Sequence, residues 1–214
     1  TSRYTGSGES QLQKDLDAFD SVADGDASGF IEVLRRAMQT ELTNDFWSFS
    51  VPQSLVTSGP ALSPVYQCYL AALNVLDADM FMIPMKVRDW MDPSQPAAKG
   101  VEGHHLFPRA YQEKVLGTTD TKRINQAANF APTDWKTNQV ISDRAPSDYW
   151  PEMLAKQGGD QAWLEKQHYW HGLPDGWQEL DYDTFLAKRR VLLADVVRHG
   201  FSVPPAIAAK VEAT

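Results

Sequence analysis

The chain has 214 residues, of which 43% are hydrophobic and 22% are charged, a composition typical of a soluble globular protein. Its formal net charge of −8 argues against an extended nucleic-acid-binding surface, because phosphate groups require positive charge nearby. The sequence shows no apolar run long enough to span a bilayer and no signal-peptide pattern, and its single cysteine, Cys68, excludes an internal disulfide. These features predict a protein of the reducing cytoplasm, with one sizeable domain or one domain and a helical annex.

Hydrophobic periodicity predicts helices in the first hundred residues. Apolar residues recur at helical spacing over about 9–24, and a second apolar face predicts a helix over 30–46 with Ser28 as its N-cap. A third helix is predicted over 64–82, where the nearly continuous apolar character indicates burial and places Cys68 in the core. The polar start of the chain, TSRYTGSGES, indicates a fragment of a longer polypeptide.

The second half of the chain combines a mixed segment with a helical end. Residues 100–145 hold short apolar pieces, turns and many polar residues, whereas 184–199 predict an amphipathic helix that ends at Gly200. The predicted organisation is a helical subdomain over 1–99, joined to a preceding domain, and a small mixed motif with C-terminal helical support over 100–214.

Two adjacent histidines stand out in the stretch GHHLFPR, residues 103–109, because the chain has only five histidines. Neighbouring imidazoles compete for the same hydrogen-bond partners and are costly to bury without them, so the pair indicates either a functional site or a satisfied structural pair. The segment from Lys99 to Asp148 contains seven basic and six acidic residues, so the remainder of the chain carries a charge of −9. A slightly positive segment in an acidic protein permits a phosphodiester partner at this point.

These residue types suit phosphodiester hydrolysis, which needs a base to activate water and a metal ion to stabilise charge on the phosphate. His105 is a candidate base because the ordinary pKa of histidine lies near neutral pH. On a strand, His104 would face the other way and could bind the metal. Downstream, Asn138 is predicted one turn into a short helix capped by Thr133 or Asp134, where its amide oxygen can serve as a second ligand.

Asn129 precedes the short apolar piece Phe130-Ala131 and is predicted to hydrogen bond to the backbone and pin a loop. The predicted order is a strand with two histidines, a long loop, an asparagine, a second strand, and a helix with an asparagine. This is the order of a ββα-metal unit. The predicted fold class is therefore mainly α, a helical domain with an embedded ββα-metal motif.

Three stretches carry a resemblance to a known family: HHLFP, INQAANFAPTDWKTNQVISDRAPSDYW and FLAKRR. They resemble the C-terminal HNH nuclease domain of GmrSD-type restriction proteins, and phosphorothioation-dependent anti-phage proteins of the SspE kind share this layout. The resemblance covers residues 100–200 and is weaker over 1–100. The matching positions downstream of the histidines are Ile141, Ser142, Pro146, Ser147, Tyr149, Phe185, Leu186 and Arg189.

The resemblance implies roles for four residues. His105 matches the general base, His104 and Asn138 match the ligands of a divalent metal, Mg²⁺ or Mn²⁺, and Asn129 matches the middle asparagine that orients the loop and the base. The family often has aspartate at the position of His104, and many HNH enzymes have histidine at that of Asn138. Two neutral ligands imply weak metal affinity, with phosphate oxygens and water completing the coordination shell.

The implied function is a metal-dependent DNA endonuclease that nicks or cuts DNA in bacterial anti-phage restriction. The implied partners are double-stranded DNA and an N-terminal NTPase domain of the same full-length chain; no membrane contact is expected, and a homodimer is left open. The alternatives are a catalytically decayed DNA-binding or regulatory module and a module that docks on the NTPase domain. The expected phosphate contacts are Arg109, Lys122, Arg123, Lys136 and Arg144.

Other conspicuous residues are predicted to be structural. His168 and His171 flank Trp170 at a spacing that would allow metal binding, but partly exposed positions on a loop are the favoured interpretation. Arg189 and Arg190 are expected to clamp a carboxylate or the ββα unit rather than contact DNA. Most of the seven tryptophans are expected to pack in the core rather than stack on bases.

Overall fold

The computed structural model describes residues 4, 6–92, 94, 102–158 and 160–203, which form two compact units that divide after Ser50. The helices and strands, in chain order, are α1 (Gly8–Asp17), α2 (Ala27–Glu41), α3 (Val51–Ser54), α4 (Pro64–Val75), α5 (Val87–Met91), β1 (Glu102–His105), α6 (Arg109–Lys114), α7 (Thr121–Ile124), β2 (Phe130–Thr133), α8 (Trp135–Ile141), α9 (Pro146–Lys156), α10 (Gln161–Trp170) and α11 (Tyr182–Ser202). A short π-helix lies at Phe46–Ser50, and short 3₁₀ turns lie at Pro60–Leu62, Ala127–Asn129 and Trp177–Glu179. The predicted mainly α class is confirmed.

The first unit contains α1 and α2, neither of which buries any of its residues. The helix predicted over 9–24 ends already at Asp17. The N-cap of α2 is Asp26 rather than the predicted Ser28, because the Asp26 side chain accepts a hydrogen bond from the Gly29 N–H. The periodicity therefore located both helices, whereas the start of α2 is determined by the capping contact of Asp26.

The second unit is built around α11, which packs against α3, α4 and α10. The helices α11 and α4 come close at Gly200, where an added Cβ would lie 2.5 Å from the Cβ of Ala72. Gly200 was predicted to end the last helix, but α11 continues to Ser202. The glycine serves the close approach of two helices, since any larger side chain would collide with α4.

The strands β1 and β2 form a two-stranded antiparallel sheet, in which His104 pairs with Ala131 and His105 with Phe130. A Cβ at Gly103 would lie 3.2 Å from the Phe130 ring, so this position favours glycine. Helix α8 follows β2 directly and packs against β1. The two strands and the helix follow one another in the predicted order, but α6 and α7 lie in the stretch that was predicted to be a long loop.

The third predicted helix differs from expectation in its length and in its buried face. Helix α4 ends at Val75 rather than at Met82, because the chain turns at Asp77, which has a left-handed φ of 52°. Cys68 lies on α4 but is exposed, in contrast to its predicted core position. The buried residues of α4 are Tyr66, Tyr69, Ala72 and Leu73, and Cys68 is not among them.

The domain boundary predicted between residues 99 and 100 lies outside the described residues, whereas the compact units divide after Ser50. Helices from both sides of the predicted boundary, α4 and α11, share one core. Among the described residues, no helix has the length and apolar character needed to cross a membrane.

Candidate functional site

His104 and His105 occupy the last two positions of β1 and face opposite sides of the sheet. His104 has only 2% of its surface exposed, whereas His105 remains partly accessible. This alternation follows from the strand geometry predicted for the pair. The His104 imidazole is therefore buried, whereas the His105 imidazole is partly accessible to solvent.

Asn138 reaches His104 from α8. The Asp134 side chain accepts a hydrogen bond from the Thr137 N–H and starts this helix, so Asn138 lies one turn in, as predicted. Its Oδ1 lies 2.8 Å from His104 Nδ1. Phe81 stacks on the His104 imidazole, with ring centroids 5.8 Å apart. The two candidate metal ligands are therefore direct neighbours.

His104 is uncharged at neutral pH. Burial lowers its pKa to about 4, although the contact with Asn138 acts in the opposite direction. A neutral imidazole keeps one nitrogen lone pair, which can accept a hydrogen bond or bind a metal. His104 Nε2 is buried and has no hydrogen-bond partner in the described part of the chain. Because an amide oxygen can only accept a hydrogen bond, Nδ1 carries the hydrogen in its contact with Asn138 Oδ1, and the lone pair of the imidazole lies on Nε2.

The spacing of His104 Nδ1 and Asn138 Oδ1 suits two neighbouring ligands of one small cation once the His104 hydrogen has moved from Nδ1 to Nε2. Adjacent ligands of an octahedral Mg²⁺ shell, with bonds of about 2.0–2.1 Å, lie about 3 Å apart. The two atoms are 2.8 Å apart, and both are uncharged. The described residues contain no group of three or more His, Cys, Asp or Glu side chains that could hold a metal. A cation bound by this pair would therefore take most of its ligands from outside these two side chains.

His105 is held on the open side of the sheet by Asn125 and Phe130. Its Nε2 lies 2.9 Å from Asn125 Oδ1, and its ring centroid lies 4.1 Å from that of Phe130. Partial burial lowers the pKa of His105, the contact with Asn125 opposes this shift, and the positive charge of Arg109 adds to it. A lowered pKa keeps the imidazole neutral near neutral pH, which is the form that can accept a proton.

Asn129 holds the chain segment that follows His105 in place through hydrogen bonds. Its buried side chain accepts a hydrogen bond from the Phe107 N–H at 3.0 Å and donates to the carbonyls of Phe107 and Ile124, both at 3.1 Å. Its backbone carbonyl accepts a hydrogen bond from the Leu106 N–H at 2.8 Å. The predicted pinning of a loop by Asn129 is confirmed, and the pinned segment begins directly after the candidate base.

The five cations predicted to contact DNA do not form one unpaired basic surface. Lys122 and Lys136 are exposed and form no ion pair within the described residues. The other three are paired with carboxylates, as Arg109–Glu113 (2.7 Å), Arg123–Asp183 (2.8 Å) and Arg144–Glu152 (2.5 Å). These carboxylates reduce the positive charge that the surface offers to a phosphate.

Sequence reasoning did not assign a role in the site to Phe81, Asn125 or Tyr149. Phe81 comes from the segment after α4, and its N–H donates to the Pro132 carbonyl of β2 at 2.8 Å. The Tyr149 hydroxyl donates to the Leu106 carbonyl at 2.7 Å, and its ring lies edge-on to His104. Tyr149 belongs to the quoted signature and could have been found there, whereas no local pattern marks the other two.

Arg189 connects α11 to β2 and to the 3₁₀ turn that precedes β2. Its guanidinium is completely buried and donates to the backbone carbonyls of Ala128, Phe130 and His171, the last two at 2.8 and 3.0 Å. Arg189 was expected to clamp a carboxylate or the ββα unit, and it clamps the backbone of β2 and of the turn before it. The last helix therefore supports the strand that lies opposite the two histidines.

His171 is fully buried, which corrects its predicted position as a partly exposed residue on a loop. It directly follows α10, and its imidazole bridges the Tyr69 hydroxyl, 2.9 Å from Nδ1, and the Asp79 carbonyl, 3.2 Å from Nε2. Burial, together with the charge of Arg189, lowers the pKa of His171 to about 3. His171 is therefore a neutral residue of the core.

The free energy of unfolding is expected to fall as the pH is lowered from 7 to 5, with His171 contributing about 2 kcal/mol to the loss. The unfolded chain protonates His171 below its ordinary pKa of 6.5, whereas the folded chain resists protonation until the pH approaches 3, so acid favours unfolding. Urea unfolding at both pH values checks this for the wild type and for His171→Gln. The variant should lose about 2 kcal/mol less than the wild type; an equal loss would contradict the assignment.

The site consists of two adjacent histidine–asparagine pairs, one buried and one open. The buried pair, His104 and Asn138, can contribute two ligands to a cation when the His104 hydrogen is on Nε2, and the open pair, His105 and Asn125, includes an imidazole that can accept a proton. Comparisons of the chain with protein-family models, with curated proteins and with solved structures found no match, so the chemistry of the site is inferred from these contacts.

Proposed function

We propose that the chain is a metal-dependent DNA endonuclease of the HNH type that nicks a phosphodiester strand. The observation that carries the proposal is the approach of His104 Nδ1 and Asn138 Oδ1 to 2.8 Å, beside the partly accessible His105. The family resemblance assigns ligand and base roles to these same three residues. Two of them lie on β1 and the third on α8, which packs against β1, and this arrangement supports the proposal.

In the proposed reaction His105 acts as the general base. Its imidazole takes a proton from water while the water oxygen forms a bond to phosphorus, and the bond between phosphorus and the leaving oxygen breaks. The leaving oxygen takes up a proton from solvent, and His105 releases its proton to solvent after the reaction. The lowered pKa of His105 keeps the imidazole in the proton-accepting form before each turnover.

His104 and Asn138 are the proposed holders of the divalent cation, Mg²⁺ or Mn²⁺, that the resemblance implies. A bound cation supplies positive charge that stabilises the phosphate and the leaving oxygen. Phe81 and Tyr149 pack around the His104 imidazole and fix its orientation towards α8. Since both holders are neutral, the cation is expected to bind weakly until substrate phosphate adds its own oxygens.

The proposed substrate is double-stranded DNA, attacked in the cytoplasm during anti-phage restriction. The resemblance further suggests an NTPase domain in the same full-length chain, and cutting of both strands would call for a homodimer. Lys122 and Lys136 are the proposed first contacts with phosphate. Arg109, Arg123 and Arg144 would join them by exchanging their carboxylate partners for phosphates.

Supercoiled plasmid is expected to be converted into relaxed circles in the presence of Mg²⁺ or Mn²⁺ and to remain intact in EDTA, because two neutral side chains alone cannot stabilise the charge on the phosphate. Gel electrophoresis of the products measures the conversion, and linear product would indicate paired cuts. In parallel, a Mn²⁺ titration followed by electron paramagnetic resonance should show about 10-fold weaker binding for Asn138→Ala. Gln139→Ala, on the exposed face of α8, is the matched control. Equal cleavage in EDTA would contradict a metal-dependent reaction.

A DNA-binding or docking module without activity is the second candidate function. The observation that favours it is the pairing of three expected phosphate contacts with carboxylates, together with a ligand pair that lacks negative charge. Folded protein that binds a labelled duplex but yields no product with Mg²⁺, Mn²⁺ or Ni²⁺ would support the binding module. Neither binding nor cleavage would support the docking module.

A further inference from the structure

Asn125 approaches the imidazole of His105 with its side chain. Its Oδ1 lies 2.9 Å from His105 Nε2, within hydrogen-bond distance. Asn125 follows α7 and precedes the 3₁₀ turn that contains Asn129. The HNH resemblance assigns a role to Asn129 and none to Asn125.

The backbone of Asn125 is anchored without its side chain. Its N–H donates to the Thr121 carbonyl at 3.0 Å, and its carbonyl accepts a hydrogen bond from the Gly59 N–H at 2.7 Å. The neighbouring Ile124 is fully buried and fixes the chain further. The contact with His105 is therefore an additional function of the side chain, and its removal leaves the backbone contacts in place.

The contact determines which nitrogen of His105 carries hydrogen. A neutral imidazole has one N–H and one bare nitrogen, and an amide oxygen can only accept a hydrogen bond. With Asn125 Oδ1 facing it, Nε2 must be the N–H, so Nδ1 is the bare nitrogen. A general base needs an unprotonated nitrogen that points to water. The Phe130 ring packs against the His105 imidazole and limits rotation of the imidazole.

We infer that Asn125 is a positioning residue that holds His105 in the tautomer with hydrogen on Nε2 and so presents Nδ1 to the attacking water. The catalytic part of this inference rests on the proposed nuclease function. The tautomer itself is a property of the folded chain and can be measured without any substrate. The two parts can therefore fail separately.

Two variants of Asn125 separate the hydrogen bond from the space that the side chain fills. Asn125→Ala removes the acceptor, whereas Asn125→Asp keeps an oxygen acceptor in nearly the same volume. Gln161→Ala is the matched control, because it removes an exposed amide on α10, away from the sheet. Circular dichroism of all three variants verifies that they are folded.

The first measurement is the ¹⁵N chemical shift of both His105 ring nitrogens, obtained by long-range proton–nitrogen correlation on the whole chain. In the wild type, in Asn125→Asp and in Gln161→Ala, we expect Nε2 to have the shift of a protonated nitrogen and Nδ1 that of a bare one. In Asn125→Ala the two shifts should move towards each other, because the tautomers then interconvert. A wild-type protein with hydrogen on Nδ1 would overturn the inference.

The second measurement is plasmid nicking as a function of substrate concentration. We expect Asn125→Ala to lower kcat by about 10- to 100-fold with little change in KM, and Asn125→Asp to restore most of the activity. Unchanged ring shifts and unchanged kcat in Asn125→Ala would overturn the inference. If the shifts respond as expected but the wild type cuts no plasmid, the proposed function is overturned and the positioning of the ring by Asn125 is supported.

Discussion

Replacing His105 with alanine is expected to reduce plasmid nicking by about 10²- to 10⁴-fold, the contribution typical of a general base. The variant should remain folded, because His105 is only partly buried and its side chain bonds to Asn125 alone among the described residues. DNA binding should persist, since the proposed phosphate contacts are left in place. Rates of relaxed-circle formation, measured beside thermal unfolding and duplex binding, check all three expectations.

The matched control for this substitution is His199→Ala. His199 is an exposed histidine in the last turn of α11, where its Nδ1 contacts the Tyr169 hydroxyl. Its removal should leave nicking unchanged. If His105→Ala nicks plasmid at the wild-type rate, the assigned base is wrong. If His105→Ala and His199→Ala both lose activity, the loss reflects a general effect of removing an imidazole rather than the role of His105.

Replacing Arg189 with methionine is expected to lower the free energy of unfolding by about 3 kcal/mol, or to lower Tm by about 6 to 12 °C. The substitution keeps most of the side-chain volume but removes the donor to three backbone carbonyls, those of Ala128, Phe130 and His171. Relief from burying a charge offsets part of this loss, which is why the expected value lies below the sum for three charged hydrogen bonds. Urea unfolding followed by tryptophan fluorescence measures the change.

Arg190 provides a control on the same turn of α11. Its guanidinium donates to the Gln126 side chain at 3.0 Å and is only partly buried. Arg190→Met should therefore cost less than about 1 kcal/mol. Equal stabilities of the two variants would show that the buried clamp of Arg189 contributes no more than a surface contact.

The parts of the fold and site that the sequence predicted depend on contacts within a few residues. The N-cap at Asp134 and the place of Asn138 one turn later follow from a capping pattern inside one helix. The opposite faces of His104 and His105 follow from the geometry of any strand. Asn129 was identified as a loop pin because its amide precedes a short apolar piece, but its partner Phe107 lies 22 residues away and was not predicted.

The parts that were missed depend on residues that are distant in the chain. Phe81 stacks on His104 only because the segment after α4 runs beside β2. Asp183, at the start of α11, pairs with Arg123, and neither residue carries a local signal of the other. Cys68 was placed in the core because periodicity shows that a helix has an apolar face, but not which part of that face a neighbour covers.

The close crossing of α11 over α4 at Gly200 and Ala72 has a consequence for biosynthesis. The ribosome releases α4 before the segment with His104, His105 and their partner asparagines, and it releases α11 after that segment. Until α11 emerges, β2 lacks the Arg189 donor and α4 lacks its covering helix, so a nascent chain holds every residue of the site without the scaffold that aligns them. Assembly of the site therefore has to wait until α11 has emerged, and chains interrupted before α11 should be targets for proteolysis.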